Sequence, residues 1–245
     1  MAINVNTVYT TVLNILNKEQ RGYLTPDEFN KIATQVQLEI FEKFFEDYNQ
    51  YIRMPKTDVE FASRMDHIME EFQVFEKTEF ADNTTPPTSN VYAQPTDLHR
   101  FGSASWNKGT NSPPIEILSN RDYNKVKLSP LTQPTNNFPV AKYKQDKLTV
   151  FPSPTIFVNT DVTFNYIRKP LDIVWAYSVG SLGQYIYEPT NTGAGVVPTT
   201  GSVNFEISES QQTEVILEIL KYSGIIIRDP QIIQAASQEL AQEEV

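Results

Sequence analysis

Asn17-Lys18-Glu19-Gln20-Arg21-Gly22-Tyr23-Leu24-Thr25-Pro26-Asp27-Glu28-Phe29-Asn30 closes one helix and opens another. Upstream, Val8, Val12, Ile15 and Leu16 recur at helical spacing, and Gly22 supplies the left-handed conformation that ends a helix. Downstream, the Thr25 hydroxyl can accept from the third helical amide. Pro26 suits the first helical position because no donor is needed there, and Glu28 completes a capping box. This punctuation predicts a helix over residues 3–18, a hinge over 17–30 and a second helix over 25–50.

Working outward, Phe29, Ile32, Val36, Ile40, Phe44 and Phe45 form the apolar stripe of the second helix. Thr57 and Glu60 stand at capping-box spacing ahead of Phe61, Met65, Ile68, Met69 and Phe72, which predicts a third helix over 57–73. Residues 1–76 therefore read as a helical region. Over 77–207, Pro, Asn, Thr and Ser punctuate short alternating segments, the pattern of strands and turns. Val162, Phe164 and Tyr166 alternate with polar residues, and so do Val203, Phe205 and Ile207. A short helix over 120–128 interrupts the strands, and polar loops are expected over 82–90 and 191–202. Residues 208–245 return to helix. Ser208 and Gln211 form a capping pair, Val215, Ile216, Ile219 and Leu220 a stripe that Gly224 ends, and Asp229-Pro230 starts a last helix carrying Ile232, Ile233, Ala236 and Leu240. The expected fold class is α+β: a helical N-terminal third, a central mostly antiparallel β region with long loops and a C-terminal helix pair, woven into one structural unit.

The 245 residues include no cysteine, which excludes disulfides, thiolate catalysis and cysteine-ligated metals. No apolar run reaches membrane-spanning length and the first residues lack a signal-peptide pattern, so a cytoplasmic product is expected. Residues 1–96 carry 8 basic and 15 acidic side chains, residues 97–169 carry 10 and 5, and residues 170–245 carry 2 and 10, giving -7, +5 and -8 within the total of -10. That balance argues against a free nucleic-acid binder. An acidic-basic-acidic order suits subunits that meet head to side, although solvated helices around a Lys-edged sheet explain it too.

Candidates for chemistry are few. His67, between Asp66 and Ile68 with Glu70 and Glu71 nearby, lacks a second histidine one turn away for a metal site. His99 follows Asp97 in a loop after Pro95, and no nucleophile accompanies it. Glu39, Glu42 and Glu46 lie along one helical face, where solvation or a Glu39–Lys43 pair is the simplest role. Gly193, Gly195 and Gly201 form no phosphate loop. Tyr143, Lys144 and Lys147, and again Tyr166, Arg168 and Lys169, mix basic and aromatic residues as single-strand platforms do, yet Tyr166 alternates as an ordinary strand residue. Asp122 with Asp146 is the carboxylate pair that a glycan hydrolase would need the fold to assemble. No residue is assigned a catalytic, cofactor-binding or metal-ligating role, and no cofactor and no enzymatic activity are expected.

The opening words, Asn-Lys-Glu-Gln-x-Gly-Tyr-Leu-Thr-Pro-x-Glu-Phe-Asn before a long amphipathic helix, resemble those of the ring-forming head-tail connector (adaptor) proteins of crAss-like and related short-tailed bacteriophages. Leu148-Thr149-Val150-Phe151-Pro152, Phe164-Asn165-Tyr166-Ile167-Arg168-Lys169-Pro170, and Val203-Asn204-Phe205-Glu206-Ile207 leading into Ile219-Leu220-Lys221-Tyr222-Ser223-Gly224 follow in the order of that family. The resemblance implies a virion structural protein at the portal vertex that joins head to tail. Its copies would form a closed homo-oligomeric ring, commonly a dodecamer, against the portal protein and adjacent tail rings, with genome DNA passing through without sequence recognition. It would be made in the host cytoplasm and contact no membrane. The alternative is a tail-tip or host-recognition module in which Trp106, Trp175, Tyr177, Tyr185 and Tyr187 form a glycan platform.

Overall fold

In the computed structural model the described residues are 2–18, 24–53, 66, 68–83, 90–107, 112–135, 137–152, 162–190, 195–227 and 234–239. The chain is α+β, as its patterning predicts. It divides into a terminal unit, Met1–Val74 with Pro170–Val245, and a central unit, Phe75–Lys169. The β-rich stretch of the sequence therefore breaks at Pro170, and residues 170–207 group with the terminal helices.

The terminal unit is built on α1 (Val5–Lys18) and α2 (Pro26–Arg53). Asn4 caps α1, its Oδ1 accepting from the amides of Asn6 at 2.9 Å and Thr7 at 3.2 Å. The capping box of α2 is formed as predicted. The Thr25 amide donates to Glu28 Oε2 at 3.0 Å and the Glu28 amide to Thr25 Oγ1 at 3.4 Å. Gly22 lies outside the described residues, as do Thr57, Glu60, Phe61 and Met65 of the expected third helix; residues 68–73 are helical. Phe72 packs on Phe44, Phe45 and Tyr48 of α2 with ring centroids 6.2, 4.7 and 6.2 Å apart. The stripes are buried as expected, except that Ile15 and Met69 face outward.

Across α2 runs an extended segment, residues 171–175, that belongs to no named strand and makes one β-bridge, Val174 with Val203. Asn30, Thr34 and Gln37, one turn apart on a single face, supply further hydrogen bonds. Trp175 N donates to Asn30 Oδ1 at 2.7 Å, Ile173 N to Thr34 Oγ1 at 3.0 Å, and Gln37 Nε2 to the Leu171 carbonyl at 2.8 Å. Val203–Ile207 is held by scattered partners and forms no strand, which corrects the expectation of one there. Phe205 and Ile207 are buried as the alternation requires, but only Val203 bridges another extended residue, Val174. The remaining partners are Asn204 Oδ1 for the Val5 amide, the Ile3 carbonyl for Phe205 N and Gln37 Oε1 for Glu206 N.

β9 (Tyr177–Val179) and β10 (Tyr185–Tyr187) make a short antiparallel ribbon. A 3-10 turn, Glu209–Gln211, then leads into a helix at Gln212–Ile227. Ser208 makes no side-chain cap here; Gln211 N donates to its backbone oxygen at 3.1 Å. Nor does Gly224 end the helix. Ser223 and Gly224 are buried, and packing of the apolar stripe outweighs the roughly 1 kcal/mol propensity cost of an interior glycine. Of the last expected helix, residues 234–239 are helical and Ala236 is buried; Asp229, Pro230, Ile232, Ile233 and Leu240 lie outside the described residues.

The central unit is two sheets sharing one core. The first has strand order β1 (Glu76–Phe80), β8 (Val162–Arg168), β4 (Leu98–Trp106), all antiparallel. The second runs β2 (Asp82–Asn83), β3 (Val91–Ala93), β7 (Lys147–Phe151), β6 (Val140–Lys144), β5 (Glu116–Ile117), with only the β5–β6 pair parallel. Between them lie Tyr92, Trp106, Leu148, Val150, Val162, Phe164 and Tyr166. The pairing of β4 with β8 slips between Phe101 and Ser103, and a Cβ on Gly102 would stand 2.9 Å from the Asn165 carbonyl oxygen, so only glycine fits. The predicted short helix is α3 (Asn120–Leu128), capped by Ser119, whose side chain accepts from the Asp122 amide at 3.2 Å. The helix at Gln212–Ile227 is α4. Among the described residues no helix is long and apolar enough to cross a membrane.

Candidate functional site

Strand register brings one charged cluster together in the central unit. Lys77 on β1 stands opposite Tyr166 on β8, and Asp97 precedes β4 on the far side of β8. Lys77 Nζ lies 3.0 Å from Glu79 Oε2 and 3.0 Å from Asp97 Oδ2. The Tyr166 hydroxyl lies 2.7 Å from Asp97 Oδ1 and 2.9 Å from Glu79 Oε2, so its single proton serves one carboxylate at a time.

Each group is held in its ordinary charge state. Hydrogen bonds from Lys77 and then Tyr166 keep the Glu79 carboxyl below its usual range. Burial alone would raise Asp97, but the bonds from Tyr166 and Lys77 outweigh it and hold that carboxyl low. Bonds to Glu79 and Asp97 raise the Lys77 ammonium, and burial followed by the two carboxylates raises the Tyr166 phenol. A cavity of about 300 Å³ opens beside the cluster, lined by Lys77, Glu79, Phe80, Gln94, Pro95 and Asp97 among others. The Tyr143 hydroxyl donates to Gln94 Oε1 near it, and the Tyr143 ring stacks on Phe101 at 5.4 Å. Two ionised carboxylates against one ammonium leave the cavity wall net negative. None of the four groups is poised to give or take a proton near neutrality, and glycoside cleavage needs a carboxyl with a raised pKa.

The proposed glycan aromatics separate. Trp106 is buried in the central unit, while Trp175, Tyr177, Tyr185 and Tyr187 gather in the terminal unit. Trp175 stacks with Tyr177 at 5.9 Å and Tyr187 at 5.7 Å, and Tyr177 meets Tyr185 edge-on at 4.7 Å. Trp175 also packs on Tyr9 at 4.3 Å and donates its indole N–H to Asn6 Oδ1 at 3.1 Å. With 4% of its surface exposed, it works as a core residue that ties α1 to the ribbon.

His67 lies outside the described residues. His99 sits in β4, not in a loop, because Leu98 N already bonds back to the Pro95 carbonyl and the turn ends there. Glu39 accepts from Tyr222 at 2.6 Å and from Gln35 at 3.0 Å, while Lys43 reaches Glu214 at 3.0 Å. The acidic face of α2 thus engages α4 in addition to solvent, and Glu46 remains exposed. Asp122 belongs to the α3 cap, taking the Ser119 hydroxyl at 2.7 Å, and Asp146 forms the β6–β7 turn with φ 58. Arg168 covers the Phe75 ring at 5.7 Å, Lys169 N bonds the Asp97 carbonyl, and Lys144 pairs with Lys147 across the hairpin. Gly193 is outside the described residues, whereas Gly195 and Gly201 both adopt positive φ. Among the described residues no group of three or more His, Asp or Glu could hold a metal ion.

Sequence reading missed the most exposed apolar side chains among the described residues of the central unit. Leu128 is 80% exposed, Leu131 96% and Phe138 78%, all at or beyond the end of α3 on the way to β6. Lys125, Lys127 and Lys144 are exposed in the same stretch of sequence. The signal was present: three large apolar residues among Ser, Pro, Thr and Asn, with no period that assigns them to a core. Compared with known proteins, the sequence matches no protein-family model and no curated protein.

Proposed function

We propose that the chain is a virion structural protein that assembles with copies of itself into a ring at the portal vertex, connecting capsid head to tail around a channel for the genome. The observation that carries this is the exposed apolar surface at Leu128, Leu131 and Phe138. Each would contribute roughly 1.5–3 kcal/mol on burial, and three large apolar side chains exposed within one short stretch of chain point to a protein contact. The order of the resembling words supplies the kind of assembly. Residues of those words make hydrogen bonds to distant parts of the chain: Asn30 of the first bonds Trp175, Asn165 of the third accepts from Thr78 at 2.8 Å, and Asn204 of the fourth accepts from Val5. They make sense as the parts that hold a scaffold. The aromatic group favours the glycan alternative less, since its tryptophan is enclosed.

Native mass spectrometry and particle averaging of the purified chain, alone and with the portal protein, test the proposal. Closed rings of one copy number are expected. A chain that stays monomeric in both conditions and is missing from mature particles would overturn it.

A further inference from the structure

We infer that the face of the central unit made by α3, its connection to β6 and the β6–β7 hairpin is the surface through which one copy grips the acidic terminal unit of the next copy. This rests on the ring reading and adds the two surfaces that meet. Charge divides between the units in the same sense as along the sequence. Residues 75–169 carry 11 basic and 8 acidic side chains, net +3, and the rest of the chain carries 9 and 22, net -13, in agreement with the total of -10. Within the central unit the excess is concentrated: residues 120–147 hold six basic side chains and two acidic ones. Lys125, Lys127 and Lys144 are exposed in this stretch, and so are Leu128, Leu131 and Phe138.

The mixture decides the occupant. A phosphate backbone would satisfy the lysines and leave the leucines in water, since nucleic acid offers stacking bases and charge but no aliphatic surface. A protein face with carboxylates around an apolar centre satisfies both. The terminal unit of this chain exposes both kinds of residue, Glu46 and Glu209 among the carboxylates and Leu171, Val179 and Leu182 among the apolar side chains. Donor and acceptor lie on different units, so the contact is heterologous and repeats around a ring when its rotation closes.

The test mixes copies labelled with nitrogen-14 and nitrogen-15, joins touching amines and carboxylates with a zero-length carbodiimide, and reads the links by mass spectrometry. Isotope-mixed links from Lys125, Lys127 or Lys144 to carboxylates within residues 1–74 or 170–245 are expected. Leu131→Asp with Phe138→Asp should weaken self-association at least tenfold with an unchanged melting midpoint, and Lys125→Glu with Lys144→Glu, made at solvent-facing positions, should do the same if the first pair unfolds. Mixed links joining other surfaces, with assembly intact in both variants, would overturn the inference and leave the ring reading standing. A chain monomeric even with its portal would remove both. Protection of these lysines by a double-stranded DNA fragment, with DNA binding lost but self-association kept in the lysine variant, would overturn the inference in favour of nucleic acid.

Discussion

Gln37 is 1% exposed, and its amide bonds two backbone groups far away in the chain, the Leu171 carbonyl and the Glu206 amide, each at 2.8 Å. Gln37→Leu fills the same space but leaves both groups without that partner. A loss of roughly 2–4 kcal/mol is expected from two orphaned groups at about 1–3 each. Urea unfolding followed by circular dichroism measures it, and a midpoint equal to that of the parent would mean other groups replace the glutamine. The charged cluster makes a second prediction at this scale. The Glu79 and Asp97 carboxyls are lowered, so their contribution is present above the ordinary carboxylate values of about 4 and is lost as pH falls through the lower folded values. Lys77 and Tyr166 are raised, so theirs is present below about pH 10 and lost as pH rises beyond it. Lys77→Met removes the shared cation and leaves two carboxylates facing each other, which should flatten the acid limb of the melting-midpoint profile. An unchanged acid limb would show that other carboxylates set it.

At the scale of elements, the β6–β7 hairpin turns through Gln145 and Asp146 with φ 54 and 58, a left-handed pair that Asn-Gly fits best and Gln poorly. Replacing them with Asn-Gly should stabilise the central unit by about 1 kcal/mol, since a residue other than Gly, Asn or Asp costs about 1–2 there; a lowered thermal midpoint would refute this. The α2–α4 contact has its own signature. Bonding to Glu39 and then burial push the Tyr222 phenol up to about 12. Its contribution is therefore complete below about pH 10, the unfolded value, and lost as pH rises to about 12. Tyr222→Phe should erase the part of the alkaline destabilisation that lies in that window, as read by pH-dependent unfolding. Elements were legible where their determinants are local. The Thr25–Glu28 box and the α3 span depend on residues three or four apart, and Val162, Phe164 and Tyr166 carry the period of β8. Gln145-Asp146 is no recognised turn pair, Gly224 is overruled by packing, and Val203–Ile207 alternates like a strand while its bonds go to scattered partners, Val174, Ile3, Val5 and Gln37. The exposed Leu131 had no period to announce it, and the Lys77 cluster was invisible because its members are joined by strand register, not by spacing.

For the whole molecule, α+β content follows from patterning, but the division does not. The terminal unit joins Met1–Val74 to Pro170–Val245, and no local signal tells Ile173 and Trp175 that their partners are Thr34 and Asn30. Residues 75–169 made alone should therefore melt cooperatively, whereas residues 1–74 alone should not, because their core lacks the second half; a cooperative melt of 1–74 would contradict the division. The antiparallel pairing of β1 with β8 sets Glu76 opposite Ile167, and Arg168 N bonds the Phe75 carbonyl at 2.9 Å. The two ends of the central unit thus leave through neighbouring positions. Such a segment behaves as a cassette: it can lengthen, shrink or be exchanged with little strain at its two ends, because the points where the chain enters and leaves it are neighbours.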